Sequence, residues 1–367
     1  MTDTSPGGLS PASAYARAGV DIVAGERAID LIKPAVRSTW AGLAAGFGGN
    51  GPRVLGDLGA FSGLVALGNA LKDPVLVSST DGVGTKLKVA IELDRHDTIG
   101  RDLVAHCVDD ILTSGAVPLF FLDYVGMGKL DPDRLASIVR GMAAECRENG
   151  CALVGGETAE LPELYAPNEY DLAGFIVGVV ERDKIVDGSR IEAGDLLWGL
   201  ESTGLHTNGY TLARKVLADL ALQNGYPGLT GTLGEVLLAT HRSYLPTMRP
   251  LLAADLVRGM AHITGGGFEG NIPRMLPPPA SGQGRLGVEL DWGSWKVQPI
   301  FELIQRQGDI GFDEMTRVFN MGLGWVFVSS ERDAEQVRQL APAALPVGRV
   351  TRADAEGGPR VRLLGAP

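Results

Sequence analysis

The alternation of short apolar runs with one-sided helical patterns is the feature that most constrains how this chain can fold. Four apolar runs predict strands, at 74–79, 118–124, 151–154 and 174–180, and the β-branched first run predicts a buried strand. Between them, 97–114 and 132–149 repeat apolar residues every three or four positions, which predicts amphipathic helices. This alternation is typical of an α/β or α+β domain.

The second half repeats the alternation. Strands are predicted at 195–200, 324–329 and 345–350, and helices at 208–223, 240–256, 297–307 and 332–340. The polar segment 181–194 contains Asp187-Gly188 and marks a domain boundary. We therefore expect a flexible N-terminal segment over 1–70, a first domain over 71–186 and a second domain over 187–367.

Glycine is abundant, with 51 of 367 residues, about twice the usual share of ~7%. Much of it lies in loose stretches, among them 46–63, where aromatic residues stand among the glycines. This stretch is compatible with a plain linker and equally with a mobile lid that closes over a ligand.

Charge and cysteine content narrow the function classes. With 33 basic and 44 acidic residues, the net charge is −11, which argues against a nucleic-acid or anionic-membrane surface. Three cysteines without a CxxC pair fit a reducing compartment, and no apolar run approaches the ~20 residues of a membrane helix. The start of the chain has no signal-peptide pattern. We expect a cytoplasmic protein.

The loop Asp81-Gly82-Val83-Gly84-Thr85-Lys86 follows the first predicted strand. Its glycines can turn backbone N–H groups toward an anion, and Lys86 would add a mobile positive charge. The spacing matches neither the GxxxxGK[ST] nor the GxGxxG motif. An ordinary turn with a surface lysine explains the loop equally well.

The helix over 97–114 carries an acidic pair. Helical spacing places Asp110 on the same face as the apolar residues, whereas Asp109 projects near Asp102 on the polar side, toward solvent. An inward carboxylate is costly without a cation, although a frayed helix end would also expose Asp110 to water. With Asp81 and Glu157 at the ends of predicted strands, these carboxylates suggest a magnesium site.

Further glycine-rich loops follow other strands. Gly155-Gly156-Glu157-Thr158 is compatible with a phosphate–metal loop or a simple turn. His206 lies outside any apolar period and could act as a base, acid or hydrogen-bond donor. Thr264-Gly265-Gly266-Gly267 is compatible with an anion-binding turn or a hinge. The histidines show no HxxxH or HExxH spacing, so the sequence predicts no zinc site.

Six motifs together resemble the phosphoribosylformylglycinamidine cyclo-ligase family. In chain order they are DGVGTKL at 81–87, FFLDY at 120–124, GCALVGGETAE at 150–160, HTNGY at 206–210, HITGGGF at 262–268 and FNMGLG at 319–324. Each motif is weak alone, but six in this order over some 250 residues are specific.

The resemblance implies ATP-dependent cyclisation of formylglycinamidine ribonucleotide to aminoimidazole ribonucleotide. It implies a two-domain ATP-binding fold whose N-terminal mixed sheets join across a homodimer, with a C-terminal α/β domain, and Mg²⁺ accompanying ATP. The implied cofactor residues are Asp81, Gly82, Gly84, Thr85, Lys86, Asp110, Gly155, Gly156, Glu157 and Thr158, with Asp81, Asp110 and Glu157 as metal ligands.

The resemblance also assigns catalytic roles to His206, Asn208 and Lys86, and anion binding to Thr264, Gly265, Gly266 and Gly267. One departure is Asp109, where the family often has Asn. Two alternatives are a selenophosphate synthetase, which would need a reactive cysteine or selenocysteine in the N-terminal segment, and a non-catalytic nucleotide-binding regulator. The first cysteine of this chain is Cys107.

Overall fold

The structure, a computed structural model, describes residues 21–43, 47, 50–59, 62–278, 285–353 and 358–367. The elements of the first half are α1 (Ile22–Arg37), β1 (Arg53–Leu55), β2 (Leu64–Ala66), β3 (Pro74–Gly82), α2 (Lys86–Leu93), α3 (Asp97–Leu112), β4 (Val117–Met127), α4 (Pro132–Asn149), β5 (Ala152–Glu160) and β6 (Tyr170–Glu181).

The first domain is built on a four-stranded sheet in the order β3-β6-β4-β5. Only β4 and β5 run parallel, so the sheet is mixed, as the resemblance implied. The expectation that the first strand is buried is wrong: β3 is an edge strand whose alternate side chains are exposed, Leu76 by 58%. A β-branched run predicts a strand but does not report whether both faces are covered.

Helix α4 follows its sequence signals closely. The Asp131 carboxylate accepts from the backbone N–H groups of Asp133 and Arg134, and Gly150 ends the helix with a φ of 70°. Helices α3 and α4 pack backbone against backbone, because a Cβ at Gly100 would lie 2.0 Å from the Ile138 carbonyl oxygen. This close contact holds α3 rigidly between the sheet and α4.

The described part of the second domain contains six strands. Its elements are β7 (Leu196–Glu201), α5 (Tyr210–Val216), α6 (Leu233–Leu237), α7 (Leu245–Ala253), β8 (Gly259–His262), α8 (Gly267–Asn271), β9 (Leu286–Asp291), α9 (Pro299–Gly308), α10 (Phe312–Val318), β10 (Leu323–Ser329), α11 (Ala334–Leu340), β11 (Leu345–Arg352) and β12 (Val361–Leu364). The sheet order is β12-β9-β11-β7-β10-β8.

The predicted helices 208–223 and 240–256 are shorter in the structure, as α5 and α7, and both lie beside loops rich in turns. The sequence did not predict strands β1, β2, β9 and β12 or helices α1, α2, α6 and α10. Within 1–70, the described residues thus include a sixteen-residue helix, α1. Among the described residues, we find no helix with the length and apolarity needed to cross a membrane.

Candidate functional site

A cleft of about 570 Å³ opens between the two domains. Its walls come from β3 and α3 of the first domain and from β8 and the loop after it in the second. The polar side chains on these walls include Ser79, Asp81, His106, Asp110, His262, Thr264 and Arg274. We call this region the open cleft.

Asp81 and His106 form the first of two carboxylate–imidazole pairs in the open cleft. His106 Nε2 lies 2.8 Å from Asp81 Oδ2, and the other Asp81 oxygen accepts from Gly82 N–H at 2.7 Å. Partial burial alone would raise the pKa of Asp81, but the hydrogen bond and charge of His106 outweigh it and lower this pKa. Asp81 is 43% exposed, so its charge faces the cleft.

Asp110 and His262 form the second pair. His262 Nδ1 lies 3.0 Å from Asp110 Oδ1, and Ser79 Oγ donates to Asp110 Oδ2 at 2.9 Å. Burial opposes ionisation, yet the hydrogen bond and charge of His262 hold the pKa of Asp110 below its ordinary value. Asp110 is 27% exposed. Asp110 therefore reaches the cleft that Asp81 also lines. Helical spacing had predicted that it lies on the inward side of α3.

A polar network joins the two pairs behind the cleft wall. His106 Nδ1 contacts Thr207 Oγ1 at 2.6 Å, Thr207 Oγ1 contacts His241 Nδ1 at 3.3 Å, and His241 Nε2 lies 3.2 Å from His262 Nε2. His106, His241 and His262 were not predicted as site residues. They come from α3, from the loop before α7 and from the end of strand β8, and no local spacing links them.

Lys86 is not the mobile positive charge that the sequence predicted. Its side chain is fully buried, and its Nζ contacts Asp102 Oδ2 at 2.8 Å and the carbonyl oxygens of Ala239 and His206 at 2.7 and 3.1 Å. Since these groups hold the ammonium inside the domain contact, Lys86 cannot reach a phosphate in this conformation. The predicted mobility is wrong, because Lys86 begins α2 and its ammonium packs against His206 and Ala239 of the second domain.

Asp109 does not face solvent, contrary to the expectation from helical spacing. It is fully buried, Tyr244 N–H donates to its Oδ1 at 2.8 Å, and burial raises its pKa well above the ordinary value. Asp102 is likewise buried and accepts from His241 N–H at 2.7 Å. The polar side of α3 packs on the second domain. Lys86, Asp102, Asp109 and their contacts form what we call the closed interface.

Glu157 is not near the other two predicted metal ligands. Gly155, Gly156, Glu157 and Thr158 lie within strand β5 instead of a loop, and β5 is at the opposite edge of the sheet from β3. Three inter-strand steps separate the strands, or roughly 14 Å. The carboxylates of Asp81 and Asp110 meet at the cleft, and Glu157 does not join them within this chain.

His206 is buried rather than open to the cleft. Its ring stacks on His241 at 4.0 Å, its Nε2 accepts from Thr203 N–H at 3.2 Å, and burial lowers its pKa well below the ordinary value. Asn208 is partly buried and faces the glycine turn, since a Cβ at Gly265 would lie 3.2 Å from its Oδ1. A catalytic role for either residue stays a prediction.

The turn over 264–267 is held by Asn271, whose Nδ2 donates to the Gly267 carbonyl oxygen at 2.9 Å. Gly267 has a φ of 56°, and a Cβ there would lie 1.8 Å from the Thr316 carbonyl oxygen, so only glycine fits. Gly265 and Gly266 are exposed. Arg274, which the sequence analysis also missed, lines the cleft beside Thr264 and gives this end a positive charge.

The remaining predicted residues lie where β3 leads into α2. Gly82 ends β3, and Gly84 is exposed with a φ of 65°. Thr85 Oγ1 contacts Thr211 Oγ1 of the second domain at 2.9 Å. This loop therefore lies beside the cleft and also joins the domains.

Comparison with known proteins identifies the class. Residues 64–180 match the model for AIR synthase related protein, N-terminal domain, and residues 192–362 match the corresponding C-terminal domain. The chain belongs to the AIR synthase related family. Within it, the chain is 50% identical over 331 residues to phosphoribosylformylglycinamidine cyclo-ligase of Desulfitobacterium hafniense, covering 90% of this chain and 93% of that one.

Solved structures support the same fold. Thiamine-monophosphate kinase from Stenotrophomonas maltophilia has a TM-score of 0.61 at 18% identity, covering 85% of this chain and 91% of that chain. The hydrogenase maturation protein HypE in complex with ATP has a TM-score of 0.56 at 16% identity, covering 83% and 84%. Identities this low show the two-domain architecture alone.

Proposed function

We propose that this chain is an ATP-dependent cyclo-ligase that closes the imidazole ring of aminoimidazole ribonucleotide in purine biosynthesis. The observation that carries the proposal is the 50% identity to curated cyclo-ligases over 90% of the chain. In the reaction, ATP phosphorylates the formyl oxygen of formylglycinamidine ribonucleotide. The amidine nitrogen then attacks that carbon and expels phosphate, and ADP is released.

The open cleft carries charges of both signs, which suits this substrate. Asp81 and Asp110 place carboxylates on the first-domain wall, which we call the carboxylate end, and Arg274 places a cation on the second-domain wall, with Gly265 and Gly266 exposed in the loop nearby. Phosphate oxygens are attracted to Arg274 and cationic groups to the carboxylate end. Domain walls on both sides limit water around a reactive phosphate ester.

We infer that ATP is the phosphoryl donor, as the family and the ATP complex of a structural relative suggest. Mg²⁺ belongs to this proposal as the ion that ATP phosphates carry. The predicted set of three carboxylates does not fit it, because Glu157 lies on the far edge of the sheet and each cleft carboxylate already faces an imidazole nitrogen. What the chain itself contributes to this part of the cleft is therefore the negative charge of Asp81 and Asp110.

A homodimer and a cytoplasmic location complete the proposal. The uncovered face of the first sheet carries apolar side chains on neighbouring strands, with Leu76 58% and Phe175 45% exposed. A second copy that pairs there would bury them, as the resemblance implies. The lid predicted over 46–63 lies partly outside the described residues and stays a prediction, as does the division of the chain at 70 and 186.

The test is phosphate release by purified chain with Mg-ATP, with and without formylglycinamidine ribonucleotide. Release that depends on the ribonucleotide supports the proposal, and substrate labelled with heavy oxygen in the formyl group should pass the label to phosphate. Turnover of ATP with selenide in place of the ribonucleotide would identify the chain as a selenophosphate synthetase instead. ATP binding without turnover of either would make it a regulator.

A further inference from the structure

His241 lies behind the open cleft, between the two carboxylate–imidazole pairs, and stands outside the six motifs of the sequence. Its side chain is fully buried. Its backbone N–H donates to Asp102 at 2.7 Å in the closed interface, and its ring stacks on that of His206 at 4.0 Å with 20° between the planes. These contacts fix both the position and the plane of the His241 ring.

The two ring nitrogens of His241 face different partners. Nε2 lies 3.2 Å from Nε2 of His262, and Nδ1 lies 3.3 Å from Oγ1 of Thr207. Two imidazole nitrogens form a hydrogen bond only if one of them carries a proton and the other does not. The remaining contact of each ring therefore decides which of the two histidines donates.

Asp110 decides this for His262. Nδ1 of His262 lies 3.0 Å from Asp110 Oδ1, and an ionised carboxylate only accepts, so Nδ1 carries a proton. Burial lowers the pKa of His262, which favours the neutral ring, and Nε2 of that ring then carries no proton. The donor between the two histidines is therefore Nε2–H of His241.

The rest of the network agrees with this direction. With its proton on Nε2, a neutral His241 accepts at Nδ1 from the Thr207 hydroxyl, and that hydroxyl oxygen accepts from Nδ1 of His106 at 2.6 Å. Asp109 Oδ2 also faces His241 Nε2, but it lies farther away, at 3.4 Å, and has no hydrogen-bond partner. The hydrogen bonds of the network thus all run toward the second carboxylate–imidazole pair.

We propose that His241 is a positioning residue of the open cleft: by donating from Nε2 it fixes the orientation of His262, and through it that of the Asp110 carboxylate. His241 is not among the described residues that line the cleft, so it acts through His262, which is. Without this donor, His262 Nε2 would be left unpaired on its buried side. The ring could then turn toward the water of the cleft, and Asp110 would lose the hydrogen bond that directs its charge.

The first test measures the ring protons directly, by nitrogen-15 NMR of the untagged full-length chain labelled at histidine. Nitrogen shifts and ring couplings distinguish a proton on Nδ1 from one on Nε2, and each signal is assigned by its loss in the matching His→Gln variant. At neutral pH we expect Nε2–H for His241 and Nδ1–H for His262. A proton on Nδ1 of His241 would overturn the assignment.

Two variants separate the donor from the bulk of the ring. His241→Leu removes both nitrogens, whereas the longer amide of His241→Gln can place an N–H near the position of Nε2. In His241→Leu we expect a mixture of His262 tautomers, and kcat for ribonucleotide-dependent phosphate release should fall by ~10–100-fold, the scale of one unpaired buried polar group, with little change in KM. His241→Gln should keep Nδ1–H on His262 and most of kcat.

His96→Gln is the matched control, because His96 contacts Tyr170 and Asp94 instead of the network. It should leave the His262 signal and kcat unchanged, with folding of every variant checked by circular dichroism. Should His241→Leu not fold, the tautomers of the unaltered chain and of His241→Gln decide the question. A single Nδ1–H tautomer of His262 in folded His241→Leu, or equal falls of kcat in the two His241 variants, would contradict the proposal.

The effect on kcat rests on the proposed cyclo-ligase activity, whereas the tautomers do not. An unaltered chain without ribonucleotide-dependent phosphate release would refute the proposed activity, and the NMR signals of His241 and His262 would still decide the positioning role. Failure of one proposal is thereby distinguished from failure of the other.

Discussion

The closed interface and the open cleft both contain carboxylates of helix α3, but the pKa values of these carboxylates shift in opposite directions in the two regions. In the closed interface, burial raises the pKa of Asp102 and Asp109. In the open cleft, Asp110 is also largely enclosed, but the hydrogen bond and charge of His262 lower its pKa. The two regions differ in enclosure: Asp102 and Asp109 are fully buried, whereas Asp110 keeps 27% of its side chain exposed and has both His262 and Ser79 as hydrogen-bond partners.

Neighbouring positions on one helix thus belong to different regions. Asp109 and Asp110 are adjacent, and about 100° of helical rotation turns one toward the second domain and the other toward the cleft. The closed interface joins the domains, whereas the open cleft leaves charge available to a ligand. We expect substitutions in the first region to change stability and substitutions in the second to change activity.

The largest effect should come from Lys86→Met. The substitution leaves Asp102 buried without its cation, and breaking a buried ion pair by removing one partner typically costs about 3–5 kcal/mol. We expect the free energy of unfolding, measured in urea, to fall by this amount. Adding Asp102→Asn should restore part of it, because the amide needs no counter-charge and keeps an oxygen for His241 N–H.

Lys88→Met is the matched control for that experiment. Lys88 lies two positions along α2, is 38% exposed and pairs with Glu169 at the surface. Exposed pairs contribute about 0–1 kcal/mol, so this variant should stay close to the unaltered chain. Equal losses in the two lysine variants would show that the closed interface does not depend on its buried pair.

Asp110→Asn should have the next largest effect, on turnover rather than on folding. The amide keeps the shape but removes the charge that faces the cleft and His262. We expect ribonucleotide-dependent phosphate release to fall by ~10²–10³-fold, the range for removing one preorganised electrostatic contact from a site. The melting temperature should stay similar or rise slightly. A variant that keeps its turnover would remove the carboxylate end of the cleft from the mechanism.

Local signals account for what the sequence predicted well. Asp131, Pro132 and Gly150 mark the ends of α4, and a single helix contains all the information needed for them. Strand β12 could not be found in this way, because Val361–Leu364 is held by pairing with the distant strand β9. The stop and start residues of a helix are local, whereas the partners of a short strand are not.

The same distinction explains the site. The motifs at 81–87 and 262–268 led to Asp81 and to the glycine turn, because each motif is continuous in the chain. The polar side of α3 was assigned to solvent, since helical spacing cannot show that a second domain covers it. His106 and His241 contact Thr207 from positions far apart in sequence, and only the fold brings them together.

A smaller effect, dependent on pH, is expected at Glu145 beside the closed interface. Glu145 contacts Arg101 at 2.7 Å and Asn149 at 3.0 Å, and Asn149 Oδ1 accepts from Ser243 Oγ of the second domain at 2.6 Å. Burial raises the pKa of Glu145 from 4.5 to about 7. Between these values the folded chain keeps a proton that the unfolded chain releases, so stability falls as the pH rises.

Over that window, Glu145 should lower the free energy of unfolding by up to about 3 kcal/mol, at 1.36 kcal/mol per pKa unit. Urea titrations at pH 4.5 and 8 should show this loss in the unaltered chain and a smaller one in Glu145→Gln. Glu148→Gln should reduce the loss in part, because the neighbouring charge of Glu148 adds to the raised pKa of Glu145. Parallel pH profiles for all three chains would contradict the prediction.

The smallest effect is expected at Asp109, and it tests the comparison most directly. Asp109 Oδ1 accepts from Tyr244 N–H, while its Oδ2 has no hydrogen-bond partner and lies 3.4 Å from His241 Nε2. Asp109→Asn keeps the acceptor for Tyr244 and removes a buried acid. We expect a free energy of unfolding that is unchanged or higher by at most about 1 kcal/mol, and unchanged turnover.

Asp109→Leu separates the acceptor from the charge at this position. It leaves Tyr244 N–H buried without a partner, which typically costs about 1–3 kcal/mol, so this variant should be destabilised where Asp109→Asn is not. Unfolding in urea and ribonucleotide-dependent phosphate release are measured on both. If Asp109→Asn loses as much turnover as Asp110→Asn, the charge at 109 acts on the cleft as well, and the two regions cannot be treated as separate.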